Sequence, residues 1–240
     1  MRKTIDLRLD PVVADAGVNV YFLLATGSVR DEASTRSLIA WNDAQASIRP
    51  ETTLVHPYLR GYRNLHRHFK VEDESLLPAP ESLIKRYLDL GSLRSFGAII
   101  DLYNTVSLNH LISAGAHDAD QLGNVVELTR NLGVEKFRPL GQKKKVTLPA
   151  NEYSYKTDLG RPICRLECKQ GNDTKLRDTT ENWLFILQGN AEISPTALQA
   201  AGRDLVGKLQ EMTVKCRWDS ELLDSDKLDG QLGIAAESVD

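Results

Sequence analysis

Residues 96–122 constrain the fold of this chain most, because a helical apolar stripe there runs directly into polar residues. Four side chains recur at helical spacing on one face, namely Ile99, Tyr103, Val106 and His110. The neighbouring face places the amide of Asn104 one turn from the hydroxyl of Ser107. A helix that only packs in the core needs neither an amide nor a hydroxyl. We therefore expect these polar side chains to have a functional role. We expect residues 114–116, Ala-Gly-Ala, to end this helix just before His117.

The composition is that of an ordinary soluble globular protein, with 41% hydrophobic and 26% charged residues among 240. No apolar run approaches the roughly 20 residues of a membrane span. Three cysteines without an export signal predict a reduced, cytoplasmic protein. The net charge of -3 does not indicate nucleic-acid binding, so a polyanionic partner would need a local basic patch.

Helix and strand patterns occur in an irregular order, which predicts an α+β fold with antiparallel hairpins and not an alternating α/β fold. Helices are expected at residues 31–46, 57–70, 80–90, 96–113 and 195–212. Strands are expected at residues 5–9, 18–25, 151–156, 163–169 and 183–187. We expect one domain over residues 1–219, followed by an acidic tail, 220–240, that frays.

The cysteines and histidines predict no metal site. Cys164 and Cys168 are four residues apart in a predicted strand, which puts them about 13 Å apart. Two sulfurs that each lie about 2.3 Å from one zinc ion cannot be that distant. We therefore expect both to pack in the core, without a metal or a disulfide. His66 and His68 would point nearly opposite ways on a helix. The sequence indicates no cofactor either.

Five short motifs follow one another in the order and spacing of one known family. They are PESLIKR at residues 80–86, IDLYN at 100–104, DADQL at 118–122, a run over 130–141 with Gly133, Glu135 and Phe137, and TTEN at 179–182. This part of the chain resembles the B3/B4 domain of the bacterial phenylalanyl-tRNA synthetase beta subunit, a domain that also occurs as a free-standing protein. The resemblance implies a layered fold in which helices flank a β-sandwich. It also implies the editing of mischarged tRNA.

The resemblance implies a free-standing deacylase that hydrolyses the ester of a mischarged aminoacyl-tRNA. This ester is already activated, so an oriented water and a stabilised oxyanion matter more than a covalent nucleophile. The absence of G-x-S-x-G and H-E-x-x-H motifs is therefore compatible with the activity. The residues expected to be catalytic are Asn104 and Asn182, which would position water or polarise the carbonyl, and His117, which would act as a base near neutral pH.

Four further residues are expected to contact the substrate, namely Glu135, which would bind its ammonium group, Ser107, Thr180 and Gln188. The assignments of the two asparagines and of His117 have structural alternatives. The asparagines also fit hydrogen bonds that stabilise a helix or a turn. His117 beside Asp118 also fits an ordinary turn.

Basic side chains near the predicted site are expected to hold the acceptor end of the tRNA by neutralising phosphates. They are Arg63, Arg67, Lys70, Lys169 and Lys175. The first three share a predicted helix with aromatic residues, and the same pattern fits an amphipathic helix with a solvated basic side. A pocket ringed by these cations would favour tRNA, whereas an uncharged mouth would favour a small ligand.

Two departures from the synthetase family leave a second function open. The synthetases place a histidine two positions before the residue that matches His117, where this chain has Gly115. They also carry a glutamate in the strand after the TTN motif, where Gln188 is here the nearest polar residue. Tyrosine specificity is therefore not carried over. The alternative is a non-catalytic module that uses the pocket for an amino acid-like ligand or for RNA. With either function the protein is expected to be a monomer.

Overall fold

The computed structural model describes residues 3–30, 33–49 and 55–235, and it confirms the predicted α+β class. Its helices are α1 (Pro11–Asp15), α2 (Ala33–Ala46), α3 (Pro57–His68), α4 (Ala79–Leu90), α5 (Ala98–His110) and α6 (Pro195–Met212). Its strands are β1 (Lys3–Leu9), β2 (Val20–Val29), β3 (Ser113–Asp118), β4 (Val125–Arg130), β5 (Lys136–Phe137), β6 (Val146–Thr147), β7 (Tyr153–Thr157), β8 (Pro162–Arg165), β9 (Lys169–Gln170), β10 (Asn182–Gln188), β11 (Thr213–Leu223) and β12 (Asp229–Ile234). None of the described helices is both long and apolar enough to cross a lipid bilayer.

In the described residues the strands form two large sheets and the short β5–β6 pair. The six-stranded sheet has the order β12-β1-β4-β7-β8-β9, in which β1 and β4 run parallel. The four-stranded sheet has the order β11-β2-β10-β3, with antiparallel neighbours. Phe22 and Leu24 of β2 share a buried cluster with Ile5 and Leu7 of β1, so the two sheets enclose a common core.

The other face of the four-stranded sheet is covered by helices α5 and α6. Leu23 of β2 and Phe185 of β10 are buried there with Val106 of α5 and Leu205 of α6. Successive residues of a strand point to opposite faces, so a strand covered on both sides must be apolar throughout. This explains the uninterrupted apolar run of β10, for which the sequence predicts two covered faces.

The C-terminal segment is ordered through residue 235, contrary to the fraying that its acidic composition predicts. Strand β11 pairs with β2, and β12 pairs with β1 from Lys3 opposite Ile234 to Arg8 opposite Asp229. Leu223, Leu232 and Ile234 are buried in the sandwich core. These apolar side chains hold the segment in place despite its charge, whereas residues 236–240 lie outside the described part.

Helix α5 ends at His110, three residues earlier than the Ala-Gly-Ala signal predicts. Leu111 adopts the left-handed conformation with φ 54° that usually belongs to glycine in this position. The Ser107 hydroxyl donates to the carbonyl of Ile112 at 2.6 Å, which satisfies a polar group just past the helix end. Residues 114–116 consequently belong to strand β3, and His117 lies on a strand and not in a loop.

The predicted strand over residues 163–169 is interrupted by a turn. Leu166 has φ 52°, and residues 166–168 connect β8 to β9, so that Cys164 pairs with Gln170 across the hairpin. Cys164 and Cys168 therefore do not share one straight strand, and the 13 Å spacing argument does not apply to them. All three cysteines are free thiols.

Candidate functional site

A cavity of about 200 Å³ lies between the two large sheets at the side where β3 and β9 form their edges. Its wall contains Asn104 of α5, residues 113–117 of β3 and Gln188 of β10. The segments that carry the unexplained polar residues of the sequence thus line one cavity. The rest of the wall is Ala79, Ser82, Leu83, Tyr103, Tyr155, Cys164, Glu167, Cys168, Gln170 and Ile186.

The register of β3 explains which of its side chains reach the cavity. Gly115 lies opposite Ile186 and Ser113 lies opposite Gln188 in the antiparallel pair with β10. Gly115 and Ser113 therefore lie on the same face of the sheet as His117. A Cβ atom built on Gly115 would have no neighbour within 4 Å, and its φ is not positive, so neither packing nor backbone requires a glycine there.

His117 is 3% exposed and holds its ring by one hydrogen bond, between Nδ1 and Thr174 Oγ1 at 2.7 Å. Among the described residues Nε2 has no partner. Burial disfavours the imidazolium and lowers the pKa of His117 to about 4. This corrects the expectation of a base that titrates near neutral pH. The ring is neutral at pH 7, and Nε2 is left to accept or donate one hydrogen bond.

Asn104 is the second polar group in the wall that remains available. Its half-buried side chain lines both the cavity and a larger neighbouring groove. Its amide forms no hydrogen bond with another described residue. A ligand group in the cavity would therefore find a free amide donor on α5 and a free ring nitrogen on β3.

A network of buried tyrosines surrounds Gln188, which lies in the cavity wall. The Gln188 amide donates to Tyr153 Oη at 3.0 Å and accepts from Tyr155 Oη at 2.7 Å. Tyr62 accepts from the Ser113 backbone N–H at 2.8 Å and donates to the Gln188 carbonyl. Burial is the main cause that raises the pKa of all three tyrosines well above the usual value, so they remain protonated donors. Gln188, expected to contact substrate, is thus fixed in place by internal partners.

A charged cluster adjoins this network. His66 Nε2 of α3 lies 2.5 Å from Glu167 Oε1, and Cys168 Sγ lies 3.3 Å from that oxygen and 3.6 Å from the histidine nitrogen. Tyr153 donates to the other Glu167 oxygen. Burial opposes both charges, yet their attraction raises the pKa of His66 and lowers the pKa of Glu167, which indicates a buried ion pair. Burial also raises the pKa of the Cys168 thiol.

Most of this cluster is not predictable from local sequence patterns. Glu167 falls on the wrong face if residues 163–169 are one strand, and His66 is about 100 residues away along the chain. One signal was available, since Tyr153 and Tyr155 alternate in the predicted strand 151–156 and must share a face.

A groove of about 710 Å³ adjoins the cavity and shares Asn104, Cys168 and Gln170 with its wall. Its lining includes the cations Arg86, Arg165, Lys169 and Lys175, the acid Asp73, and the exposed ring of Phe96. Arg165 is neutralised by Glu152 through two contacts of 2.7 Å and lies 3.6 Å from Asp73. The other three cations form no ion pair with a described residue, so the groove is positively charged.

Two predicted substrate contacts have structural roles instead. Ser107 is fully buried and uses its hydroxyl at the end of α5, so it does not reach the cavity. Glu135 accepts from Lys156 Nζ at 2.7 Å and from the backbone N–H groups of Leu132 and Val134. It stabilises the β4–β5 connection and lies outside the cavity wall.

Asn182 and Thr180 also lie outside the wall. Asn182 shares a face with Gln188, but six residues at about 3.3 Å each separate the two along β10. Its amide donates to Asp120 at 2.9 Å, and the Thr180 hydroxyl donates to Asp118 at 3.2 Å. Both residues therefore hold the loop before β10 against the end of β3, as the structural alternative for the asparagine states.

The predicted RNA-binding residues divide into two groups. Lys169 and Lys175 are exposed and line the groove. Arg63 forms an ion pair with the buried Glu81 at 2.9 Å and so ties α3 to α4. Arg67 and Lys70 are exposed on and just after α3, outside the walls of both the cavity and the groove.

Comparison with known proteins agrees with this architecture. The B3/4 domain family model matches residues 71–205. The phenylalanine–tRNA ligase beta subunit of Geobacter sulfurreducens is 29% identical over 132 residues, which are 55% of this chain and 16% of that protein. The crystal structure of an N-terminal fragment of the phenylalanyl-tRNA synthetase beta subunit from Pyrococcus horikoshii has a similar fold, with a TM-score of 0.50 and 13% identity over 94% of this chain and 53% of that one. This chain thus spans only part of the length of either relative. The family model, however, matches more than half of the residues of this chain. The chain belongs to the B3/4 domain family.

Proposed function

We propose that this protein hydrolyses the ester bond of a mischarged aminoacyl-tRNA, acting in trans. The observation that supports the proposal is that the cavity and the groove adjoin each other. A cavity with free polar groups on His117 and Asn104 adjoins a groove whose unpaired charges are positive. An aminoacyl-tRNA has the matching chemistry, because a small amino acid is attached to a polyanionic strand. Two relatives by sequence or fold are subunits of a tRNA ligase.

In this proposal the amino acid occupies the cavity and its ester lies between α5 and β3. When Nδ1–H of His117 donates to Thr174, Nε2 carries a lone pair that can orient a water molecule toward the carbonyl carbon. The Asn104 amide donates to the oxygen that becomes negative as water adds. As the water adds, Nε2 of His117 takes one of its protons. The bond between the acyl carbon and the ribose oxygen then breaks, and the ribose oxygen takes that proton from the imidazolium as the free amino acid forms.

The groove would hold the acceptor end. Arg86, Lys169 and Lys175 would neutralise phosphates, and the Phe96 ring offers a surface on which a base can stack. Because backbone contacts carry no sequence information, these residues would contribute to affinity more than to the choice of tRNA.

We expect Lys175→Ala to weaken tRNA binding, with a loss that is larger than that caused by Arg67→Ala. Removing one phosphate contact lowers affinity and reduces the slope of log affinity against log salt by about 0.7–0.9. The measurement is a filter-binding or fluorescence titration at several salt concentrations. Arg67 is the matched control, because it is exposed but lies outside the groove. A larger effect at Arg67 would place the tRNA on α3 and contradict this use of the groove.

The second candidate is a non-catalytic module that binds an amino acid-like ligand in the cavity. Gly115 favours this function, because the synthetases carry a histidine at this position. In this chain the corresponding space is open and holds no ionisable side chain. The Gln188 network favours it too, since its donors and acceptors are already paired within the protein.

A deacylation screen against a broad panel of mischarged tRNAs separates the two functions. The enzyme should hydrolyse at least one substrate well above the spontaneous rate. Gly115→Leu should abolish this activity, because the new side chain projects into the cavity and meets no backbone obstacle. Tight tRNA binding and circular dichroism should be unchanged in this variant. Hydrolysis of no substrate in the panel would reject the enzyme, and ligand binding that Gly115→Leu blocks would then support the module.

A further inference from the structure

His66, Glu167 and Cys168 form a cluster that has no role in the proposed reaction or in the proposed binding of phosphates. An imidazole nitrogen, a carboxylate oxygen and a sulfur all lie within 4.8 Å of one another. They come from two elements, α3 and the turn between β8 and β9, that the fold brings together. The side chains of Glu167 and Cys168 also line the cavity. A cluster of three such donors beside a cavity is the arrangement in which proteins hold a zinc-like ion with an open position.

We propose that His66, Glu167 and Cys168 bind a divalent metal ion of the zinc class at the wall of the cavity. The ligand types favour this class, because imidazole and thiolate suit zinc whereas magnesium and calcium prefer oxygen donors. Three protein ligands leave the fourth tetrahedral position for water or a ligand group in the cavity. The sequence argument against a metal at Cys168 assumes that Cys164 and Cys168 lie on one straight strand. The turn at Leu166 shows that they do not, so that argument no longer applies.

The present geometry is close to that of a metal site. Tetrahedral zinc places its nitrogen, oxygen and sulfur ligands about 3.4–3.6 Å from one another. The sulfur already lies 3.6 Å from the nitrogen and 3.3 Å from the oxygen. The nitrogen and oxygen are 2.5 Å apart, as in a direct hydrogen bond. Metal binding therefore requires the His66 nitrogen and the Glu167 oxygen to move apart by about 1 Å.

The surroundings support the proposed ligands. The second carboxylate oxygen of Glu167 accepts from Tyr153, and the Glu167 backbone carbonyl accepts from the Ser113 hydroxyl at 2.8 Å. Such outer partners orient metal ligands and are worth about 10–100-fold in metal affinity. Metal binding releases two protons to solvent, one from the His66 imidazolium and one from the Cys168 thiol. The Glu167 carboxylate and the Cys168 thiolate then neutralise the two charges of the ion, so its burial leaves no net charge.

The test is metal binding by the purified protein without tRNA, so its outcome does not depend on the proposed deacylase activity. The protein is stripped with a chelator and titrated with Zn²⁺ and with Co²⁺. Wild type should bind about one equivalent, and the cobalt form should show a thiolate-to-cobalt charge-transfer band. Cys168→Ser should remove this band and weaken zinc binding by more than about 100-fold, beyond the loss of an outer partner. Tyr153→Phe should weaken it by about 10–100-fold.

Cys164→Ser is the matched control, since Cys164 lines the same cavity but is not one of the three donors. It should keep the stoichiometry and the charge-transfer band. His66→Gln provides a second variant in case one substitution disturbs the fold, which circular dichroism would show. Absence of zinc binding in wild type, retention of affinity in Cys168→Ser, or loss of the cobalt band in Cys164→Ser would each overturn the proposal.

Discussion

His117→Gln should slow deacylation by about 100-fold or more at saturating tRNA, because a positioned proton acceptor contributes roughly 10²–10⁴-fold in rate. Asn104→Ala should cost about 100- to 1,000-fold, as the loss of one oxyanion donor does elsewhere. Both residues lie in the cavity wall, and neither Asn104 nor Nε2 of His117 is committed to a partner within the described protein. Single-turnover kinetics with the best substrate of the panel would measure the chemical step directly.

The affinity for tRNA should hardly change in either variant, since the cationic groove is intact. A pH series adds a second test of His117. Because burial lowers its pKa to about 4, the ring is neutral above that value, and its protonation should reduce the rate only as the pH falls toward 4. Asn182→Ala is the control, because its amide is bonded to Asp120 outside the cavity. If Asn182→Ala removed more activity than His117→Gln, the reacting ester would not lie at the cavity.

Glu135→Gln should lower the free energy of unfolding by about 3 kcal/mol at pH 7 while leaving the chemical step unchanged. The carboxylate and the Lys156 ammonium are 8% and 6% exposed and lie 2.7 Å apart. Burial acts against the charge, but hydrogen bonds from Lys156 and the backbone lower the pKa of Glu135 from 4.5 to about 2. That difference corresponds to about 3 kcal/mol. Removing one partner of a buried pair also leaves the other charge uncompensated.

The pH dependence of this effect has a fixed sign. A carboxylate with a depressed folded-state pKa stabilises the protein above its unfolded pKa, and this stabilisation is lost as the pH falls from about 4.5 toward 2. Denaturant unfolding at several pH values would show wild type and Glu135→Gln converging in that range. Lys156→Met in the Glu135→Gln background should recover part of the loss. Glu127→Gln, on the neighbouring strand β4, should cost no more than about 0.5 kcal/mol. An effect of Glu135→Gln equally small would show that the pair is unimportant for stability.

The sequence predicts the elements of this fold better than their ends. Helix α4 begins beside Pro80 and ends at Gly91 with φ 73°, as the residues there predict. Helix α5 and strand β8 instead end just before leucines in the left-handed conformation, Leu111 and Leu166. Leucine has no intrinsic preference for that conformation, so the identity of these two residues does not predict it. It depends on the tertiary contacts around them. Because these two ends are predicted wrongly, His117 is predicted in a loop although it lies on strand β3, and Glu167 is predicted in a strand although it lies in a turn.

The site was predictable only where its residues are close in sequence. Asn104 and His117 could be found because both belong to one polar-rich segment that packing did not explain. The cluster of His66 with Glu167 depends on a contact across 101 positions, which no local pattern encodes. Glu135 and Asn182 belong to motifs that resemble those of the family, but a motif does not show whether a polar group is already hydrogen-bonded within the protein. Glu135 is bonded to Lys156, and Asn182 is bonded to Asp120.

The position of β1 in the six-stranded sheet has a consequence for synthesis on the ribosome. This strand is made before both of its partners, since its parallel partner β4 follows more than 100 residues later and Ile234, which pairs with Lys3, follows 231 positions later. At about 5–20 residues per second, β1 waits roughly 10–50 s for its last neighbour. Until then a hydrogen-bonding edge of a strand with one apolar face is open to other chains. We therefore expect the nascent chain to be more prone to aggregation than the folded protein, in which β1 is paired on both sides.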